Sequence, residues 1–261
     1  MSISLRNVGK TYRRGGMATH ALDRVDLDIA EGEFVAIVGP SGCGKSTLLR
    51  LLSGLLPAST GEILVNGAPV TKPSGEMGIV FQAPVLLDWR SVRDNLLFQV
   101  EMRGLKKADY TARADDLLRR VGLAEFADRY PYELSGGMRQ RCAIARSLIH
   151  DPVMLIMDEP FGALDALTRE QMRLDLEALW MATRKTVLFI THSIDEAVLL
   201  SDRVVVMSPR PGRIERIIPV AMPRPRGLEG RKSPEFMRIS DEITDIFLSR
   251  GVLTAGVGAG P

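Results

Sequence analysis

The sequence predicts an α/β fold organised on a buried parallel sheet, and three observations predict it. Apolar runs of strand length, "EFVAIV" (33–38), "VMLIM" (153–157), "TVLFI" (186–190) and "RVVVM" (203–207), are continuous rather than alternating. That is the pattern of strands covered on both faces. Helical stretches lie between them, the alternation that produces a parallel sheet. The first run passes directly into a Gly-rich loop that opens a helix, "GPSGCGKSTLLRLLSGLL".

The remaining elements follow in order. "VDLDI" (25–29) has period two, with Val25, Leu27 and Ile29 on one face, and "EILVNG" and "MGIVF" read as two further strands between Gly and Pro punctuation. From about residue 83 to 150 no strand signal appears. Ser91 with Asp94 forms a capping box ahead of the helical stretch "VRDNLLFQVEMRGL". "KADYTARADDLLRRVGL" is a second helix with Gly122 near its end, and Ser135 caps a third, "GGMRQRCAIARSLIH". The window reads as an all-helical sub-lobe inserted between strands. Ser193 and Glu196 make another capping box after "TVLFI". Further on, "PRPGRIERIIPVAMPRPRG" reads as a hairpin leading into a proline-rich link. Phe236, Ile239, Ile243 and Ile246 then fall at helical spacing within 233–250, and the last eleven residues read as disordered.

Composition narrows the function. At 261 residues, 45% apolar and 25% charged, the chain suits one large domain or a core with a sub-lobe. The net charge of +2 lacks the basic excess of a nucleic-acid binder, so no nucleic-acid partner is expected. Two cysteines and three scattered histidines make neither a disulfide framework nor a metal cluster. No run approaches the roughly 20 apolar residues of a membrane helix, and the N-terminus has no signal-peptide core. Any action at a membrane is expected to run through a partner. His150 falls at a helix C-terminus, where an imidazolium suits the dipole.

Gly39, Gly44, Lys45 and Ser46 satisfy G-x-x-x-x-G-K-[ST]. In such a loop, here Gly39, Pro40, Ser41, Gly42, Cys43, Gly44, Lys45, Ser46 and Thr47, the glycines let successive N–H groups converge on one phosphate, and the helix adds its positive end. Lys45 reaches the β- and γ-phosphates and the Ser46 hydroxyl can ligate Mg²⁺. After "VMLIM", Asp158 suits the Mg²⁺ shell and Glu159 suits orienting or deprotonating a water. A second anion-binding helix start lies in "LSGGMRQ" (134–140), where Ser135 is the cap and Gly136 and Gly137 follow. Cys43 is either a modifiable thiol or a small tolerated residue.

The loop, "LSGGMRQ" and "MDEP" in this order resemble the ATP-binding subunit of ABC transporters, over roughly residues 3 to 220. The resemblance implies a P-loop NTPase fold of the ABC type, with an inserted all-helical sub-lobe and an N-terminal antiparallel β portion. Residues 1–220 would form the ATP-binding domain and 221–261 a linker, short helix and tail. It also accounts for two cradles. Such subunits form head-to-tail dimers, so Ser135, Gly136 and Gly137 would meet the ATP held by Lys45 of a second copy. By the same resemblance Tyr12 stacks on adenine, Gln82 touches Mg²⁺ and senses the γ-phosphate, and Asp165 in "GALD" crosses the dimer interface. His192 contacts the γ-phosphate and supports the attacking water beside Glu159. Met138 departs from the family's frequent Gln.

The segment after Gln82 would receive a short helix of a membrane subunit. Trp89, with Leu86 and Leu87, is then either an exposed contact or packed inside the lobe. "EPFGALDALTREQMR" and "THSIDEAVLLSDRVVVMSPRPGRI" resemble the nitrate, sulfonate and taurine importer group. That implies membrane-spanning permease subunits, an indirect periplasmic or surface solute-binding protein, and a peripheral place on the cytoplasmic face of the membrane. A soluble ABC ATPase of a non-transport assembly is the alternative, and a P-loop kinase is disfavoured by the Ser-Gly-Gly signature. The stretch from Arg210 to Lys232 reads as a solvated linker or as a contact for lipid headgroups.

Overall fold

The computed structural model describes residues 3–253, so most of the tail expected as disordered lies outside the described residues. In chain order the elements are β1 (Ile3–Arg14), β2 (Met17–Ile29), β3 (Phe34–Val38), α1 (Lys45–Leu52), β4 (Thr60–Val65), β5 (Ala68–Pro69) and β6 (Met77–Val80). Then come α2 (Val92–Met102), α3 (Thr111–Arg120), α4 (Gly136–Leu148), β7 (Met154–Asp158), α5 (Ala166–Thr183) and β8 (Thr186–Ile190). The chain closes with α6 (Ile194–Leu200), β9 (Arg203–Met207), β10 (Ile214–Pro219) and α7 (Pro234–Ser249). Contacts divide the described residues into two compact units, one of residues 30–34 and 73–190, the other of residues 3–29, 35–72 and 191–253.

In the first unit β6, β7 and β8 lie parallel, with Met77 beside Met154 and Met154 beside Thr186. Every residue of β8 is buried, as its continuous apolar run predicts. Between β6 and β7 the described residues form only helices and short 3₁₀ turns, matching the strand-free window of the sequence. Ser91 caps α2 by accepting the Asp94 N–H, as expected. The helices bury Leu96, Val100, Leu117, Ile144 and Leu148. On α5, Trp180 meets Phe34 edge-on at 5.8 Å and donates its indole N–H to the Lys185 carbonyl.

The second unit carries the antiparallel sheet β2-β1-β4-β5 and, separately, β3 parallel to β9 with β10 antiparallel beyond it. "VDLDI" proves to be only the end of the long strand β2, and its partner β1 gives no clean alternation. Register shifts between Leu5 and Thr11, with Asn7 at φ 51°, break the period along β1. The hairpin read within "PRPGRIERIIPVAMPRPRG" forms differently, because β10 from that stretch pairs antiparallel with β9, which precedes it. On α7, Phe236, Ile239 and Ile243 are buried as predicted, but Ile246 is half-buried and Phe247 completes the stripe.

Two readings are corrected. The Arg210–Lys232 stretch is not a solvated linker. Arg226 is buried and donates to the carbonyls of Val198 at 2.6 Å and Ser201 at 2.7 Å, which the end of α6 leaves without helical partners. Arg224 bonds the Leu200 carbonyl and Asp202, and Arg231 bonds Asp195 in the first turn of α6. His150 is not an imidazolium either. Burial first, then the neighbouring Arg103, pushes its pKa down to about 4, which outweighs any help from the helix end.

A depressed histidine makes stability pH-dependent with a definite sign. The unfolded chain takes up this proton near pH 6.5 while the folded one refuses it until about pH 4, so stability falls as pH falls through that window. Between pH 7.5 and 5 the loss from this group is about 2 kcal/mol. Denaturant titrations at the two pH values are expected to show the loss of stability between them smaller by this amount in His150→Gln.

Candidate functional site

In the second unit, the fully buried strand β3 fixes where the loop begins at Gly39. The loop closes at Gly44, the N-cap of α1, with φ 107°. A Cβ there would stand 2.6 Å from Leu22 Cδ2 and 2.9 Å from the Ala21 carbonyl, so both backbone angle and space demand glycine. Lys45 is buried and its Nζ donates to the carbonyls of Gly39 at 2.8 Å and Pro40 at 3.1 Å. Ser41, Gly42 and Ser46 remain exposed around it. The Tyr12 hydroxyl lies 3.3 Å from Thr47 Oγ1, which puts a partly exposed ring beside the first turn of α1.

His192 joins this group, its Nδ1 3.5 Å from Lys45 Nζ. The preceding Thr191 N–H donates to the Ile37 carbonyl of β3, and Ser193 caps α6 by accepting the Glu196 N–H. Of the two readings of Cys43, that of a small tolerated residue fits. The side chain is inaccessible, and burial raises the thiol's pKa above its ordinary value, which suppresses the reactive thiolate.

The first unit gathers the other residues. Asp158 ends β7 and Glu159 follows at φ 48°, a left-handed conformation that a glutamate adopts only when its surroundings impose it. Here the Glu159 N–H is held by the Ile190 carbonyl at 2.8 Å, and its own carbonyl accepts from Gly162. Gln82 reaches the same turn, its Nε2 3.2 Å from the position of a Cβ on Gly162.

Ser135 caps α4 by accepting the Met138 N–H, with Gly136 and Gly137 as the first helical residues. A Cβ on Gly137 would lie 2.6 Å from Thr168 Cγ2, so the glycine admits α5 against the start of α4. Asp165 caps α5 by accepting the Thr168 N–H at 3.0 Å, and its bonds to the Thr168 side chain and amide lower its pKa. The two helix starts border a cleft of about 320 Å³ lined by Ser135, Gly137, Met138, Leu167 and Thr168 among others.

The segment after Gln82 settles the Trp89 alternatives. Trp89 is 74% exposed, although Leu86 and Leu87 are half-buried. Arg146 of α4 donates to the carbonyls of Pro84 and Val85, and Val85 itself sits at φ 45°. Asn95, fully buried on α2, bonds the carbonyls of Leu87, Arg90 and Ser91 and accepts the Leu87 N–H.

A sequence profile of the family described as ABC transporter matches residues 22–162. The chain belongs to the ABC transporter family. This ABC chain is 52% identical over 241 residues to a putative ATP-binding protein of Brucella abortus, covering 92% of this chain and 91% of the relative. It is 50% identical over 241 residues to a taurine import ATP-binding protein of Rhizobium johnstonii, covering 90% and 92%. Among solved structures it resembles a dimeric ATP-binding cassette in a post-hydrolysis state bound to ADP and Pi. There the TM-score is 0.73 and the identity 32%, covering 84% of this chain and 99% of that one. It also resembles cbiO1 from Clostridium perfringens, part of the cbiONQ transporter complex, at TM-score 0.76 and 29% identity, covering 96% and 98%. The fold is thus that of an ABC cassette, and the chain is an ATPase.

Several contacts at these sites escaped the sequence. Arg146, Asn95 and the β9–β10 turn carry no motif, and only the buried polar character of Asn95 on an apolar helix face hinted at a role.

Replacing Lys45 with Ala removes the buried ammonium beside the loop. ATP affinity is expected to fall about 100-fold, the value of a hydrogen-bonded charge. Titration with a fluorescent ATP analogue reads this directly, with circular dichroism confirming the fold.

Proposed function

We propose that this ABC ATPase is the energising subunit of a bacterial importer for a small anionic or zwitterionic solute such as nitrate, a sulfonate or taurine. The observation that carries the reading is likeness over nearly the whole chain to relatives named for taurine import, at 50%, 45% and 47% identity. The exposed segment after Gln82 supports it, because Val85 and Trp89, 60% and 74% exposed, bring two apolar side chains to the surface four residues apart. Residues 1–220 would carry the ATP-binding activity and 221–261 would brace it. The partners would be membrane-spanning permease subunits, with a solute-binding protein acting through them, and the chain would work on the cytoplasmic face of the membrane.

In this reading two copies pair head to tail. Tyr12 stacks on adenine, and the loop of Gly39 to Thr47 with Lys45 takes the phosphates of ATP. Ser135, Gly136 and Gly137 of the second copy close over the γ-phosphate, with Asp165 at the interface. The donors proposed for Mg²⁺ are hard oxygens, the Ser46 hydroxyl, the Gln82 amide oxygen and the Asp158 carboxylate. Among the described residues no group of three or more His, Cys, Asp or Glu gathers as a complete protein cage. Mg²⁺ keeps waters and takes phosphate oxygens beside one or two carboxylates, and hard oxygen donors of this kind suit it. Held by these residues, the ion would supply positive charge to offset the negative charge of the bound phosphates. Glu159 orients the attacking water and accepts its proton while His192 holds the γ-phosphate, so catalysis is mostly positioning and charge neutralisation.

Glu159→Gln keeps the size of the side chain and removes the base. Turnover is expected to fall roughly 10²–10⁴-fold with ATP binding retained. Purification of the tagged chain from gently solubilised native membranes tests the assembly. A stoichiometric multi-span membrane protein is the expected companion, and ATPase stimulation by taurine, sulfonates or nitrate then assigns the solute. Soluble companions alone would replace the importer with a non-transport assembly.

A further inference from the structure

An inventory of the carbonyl groups in the Gly39–Gly44 loop leads outside the motif. A backbone cradle needs its N–H groups on the ligand side, so its carbonyls need partners on the other side. Lys45 takes those of Gly39 and Pro40, the Cys43 N–H shares that of Pro40 at 3.3 Å, and the Leu48 N–H takes that of Gly44 at 2.8 Å. The Gly42 carbonyl accepts from Arg210 Nε at 3.2 Å. The Cys43 carbonyl faces Gly212 so closely that a Cβ on Gly212 would stand 1.8 Å from it.

Arg210 and Gly212 both belong to the turn between β9 and β10, and that turn is anchored. The Gly212 N–H donates to Ala21 at 2.9 Å, the Asp23 N–H donates to the Gly212 carbonyl at 3.0 Å, and Arg213 pairs with Asp23. The Ser208 N–H closes the turn on the Arg213 carbonyl. Ala21 and Leu22 of β2 also press on Gly44. The loop is therefore gripped by β2 at Gly44 and by the turn at Gly42 and Cys43, and the turn is itself anchored on β2.

We infer that Arg210 and Gly212 are positioning residues of the phosphate loop. They keep the Gly42 and Cys43 carbonyls turned away from the anion, so the neighbouring N–H groups stay convergent. The inference rests on reading residues 39–47 as the ATP phosphate cradle. A methyl at position 212 overlaps the Cys43 carbonyl and displaces the peptide that the cradle uses, whereas loss of Arg210 leaves the Gly42 carbonyl free to swing toward the phosphate side.

The test uses the full chain with Mg²⁺ and a fluorescent ATP analogue. Gly212→Ala is expected to weaken binding at least about tenfold, the value of one displaced hydrogen bond to a charged phosphate. Arg210→Ala is expected to weaken it about fivefold, the value of one hydrogen bond, and Arg210→Lys to restore part of that loss. The corresponding rise in KM should exceed any fall in kcat. A merely structural role predicts instead a lower melting temperature with unchanged ATP affinity in the folded variants, and that result overturns the inference. Should Gly212→Ala fail to fold, the Arg210→Ala and Arg210→Lys pair decides by the same criteria. Lys45→Ala separates the two levels. If it binds ATP as the wild type does, the cradle reading itself fails and takes the inference with it. If it loses ATP while the Arg210 and Gly212 variants keep it, only the inference fails.

Discussion

A cradle built from backbone can hold an anion only while its peptide groups all face the same way, and nothing intrinsic to a glycine-rich loop enforces that. Glycine makes the required angles accessible and equally makes many others accessible. The order has to come from what surrounds the loop. Buried β3 fixes its entry, α1 fixes its exit, and β2 leaves no room at Gly44 for anything larger than hydrogen. Lys45 adds tension from inside by bonding back to Gly39 and Pro40. His192 is in turn tied to β3 through Thr191. The Gly39–Thr47 loop, its lysine and the histidine therefore share one rigid support, the C-terminal edge of a buried strand.

Much of this was legible in the sequence, for identifiable reasons. β3, β7, β8 and β9 announce themselves because strands covered on both faces need unbroken apolar runs. The caps at Ser91, Ser135 and Ser193 are local devices that a few residues define, and each forms the bond its spacing predicts. β1 was hidden by its irregular register. The arginines after residue 220 were misjudged because their partners are carbonyls at the end of α6, and a backbone acceptor leaves no mark on the sequence. His150 was misjudged likewise, since a helix end is a local fact and burial is not. At the site, motif residues were readable from glycine spacing, while Arg210 and Gly212 meet the loop only through the fold.

Among the described non-glycine residues at positive φ, Asn7, Arg24, Asn66, Asp151 and Arg184 lie elsewhere, while Glu159 and Val85 lie where chemistry or contact is expected. Glu159 and Val85 both hold positive φ, and neither has the side chain that makes such a conformation comfortable. Each costs of order 1 kcal/mol or more, and each is held by identifiable bonds, Glu159 by Ile190 and Gly162, Val85 by Arg146. These residues are where sequence-level rules of local preference fail, as expected of sites retained for reasons other than stability.

The segment from Pro84 to Ser91 combines exposure with fixation. Arg146 holds it at one end and Asn95 at the other, so Trp89 stands in solvent on a frame that is already set. Ordering a loop on association commonly consumes a large part of the available contact energy. A surface prepared in this way has lost that freedom during folding, before any encounter. A partner that docked there, as proposed, would meet a shape rather than an ensemble, and a small contact area could suffice for a connection without slack.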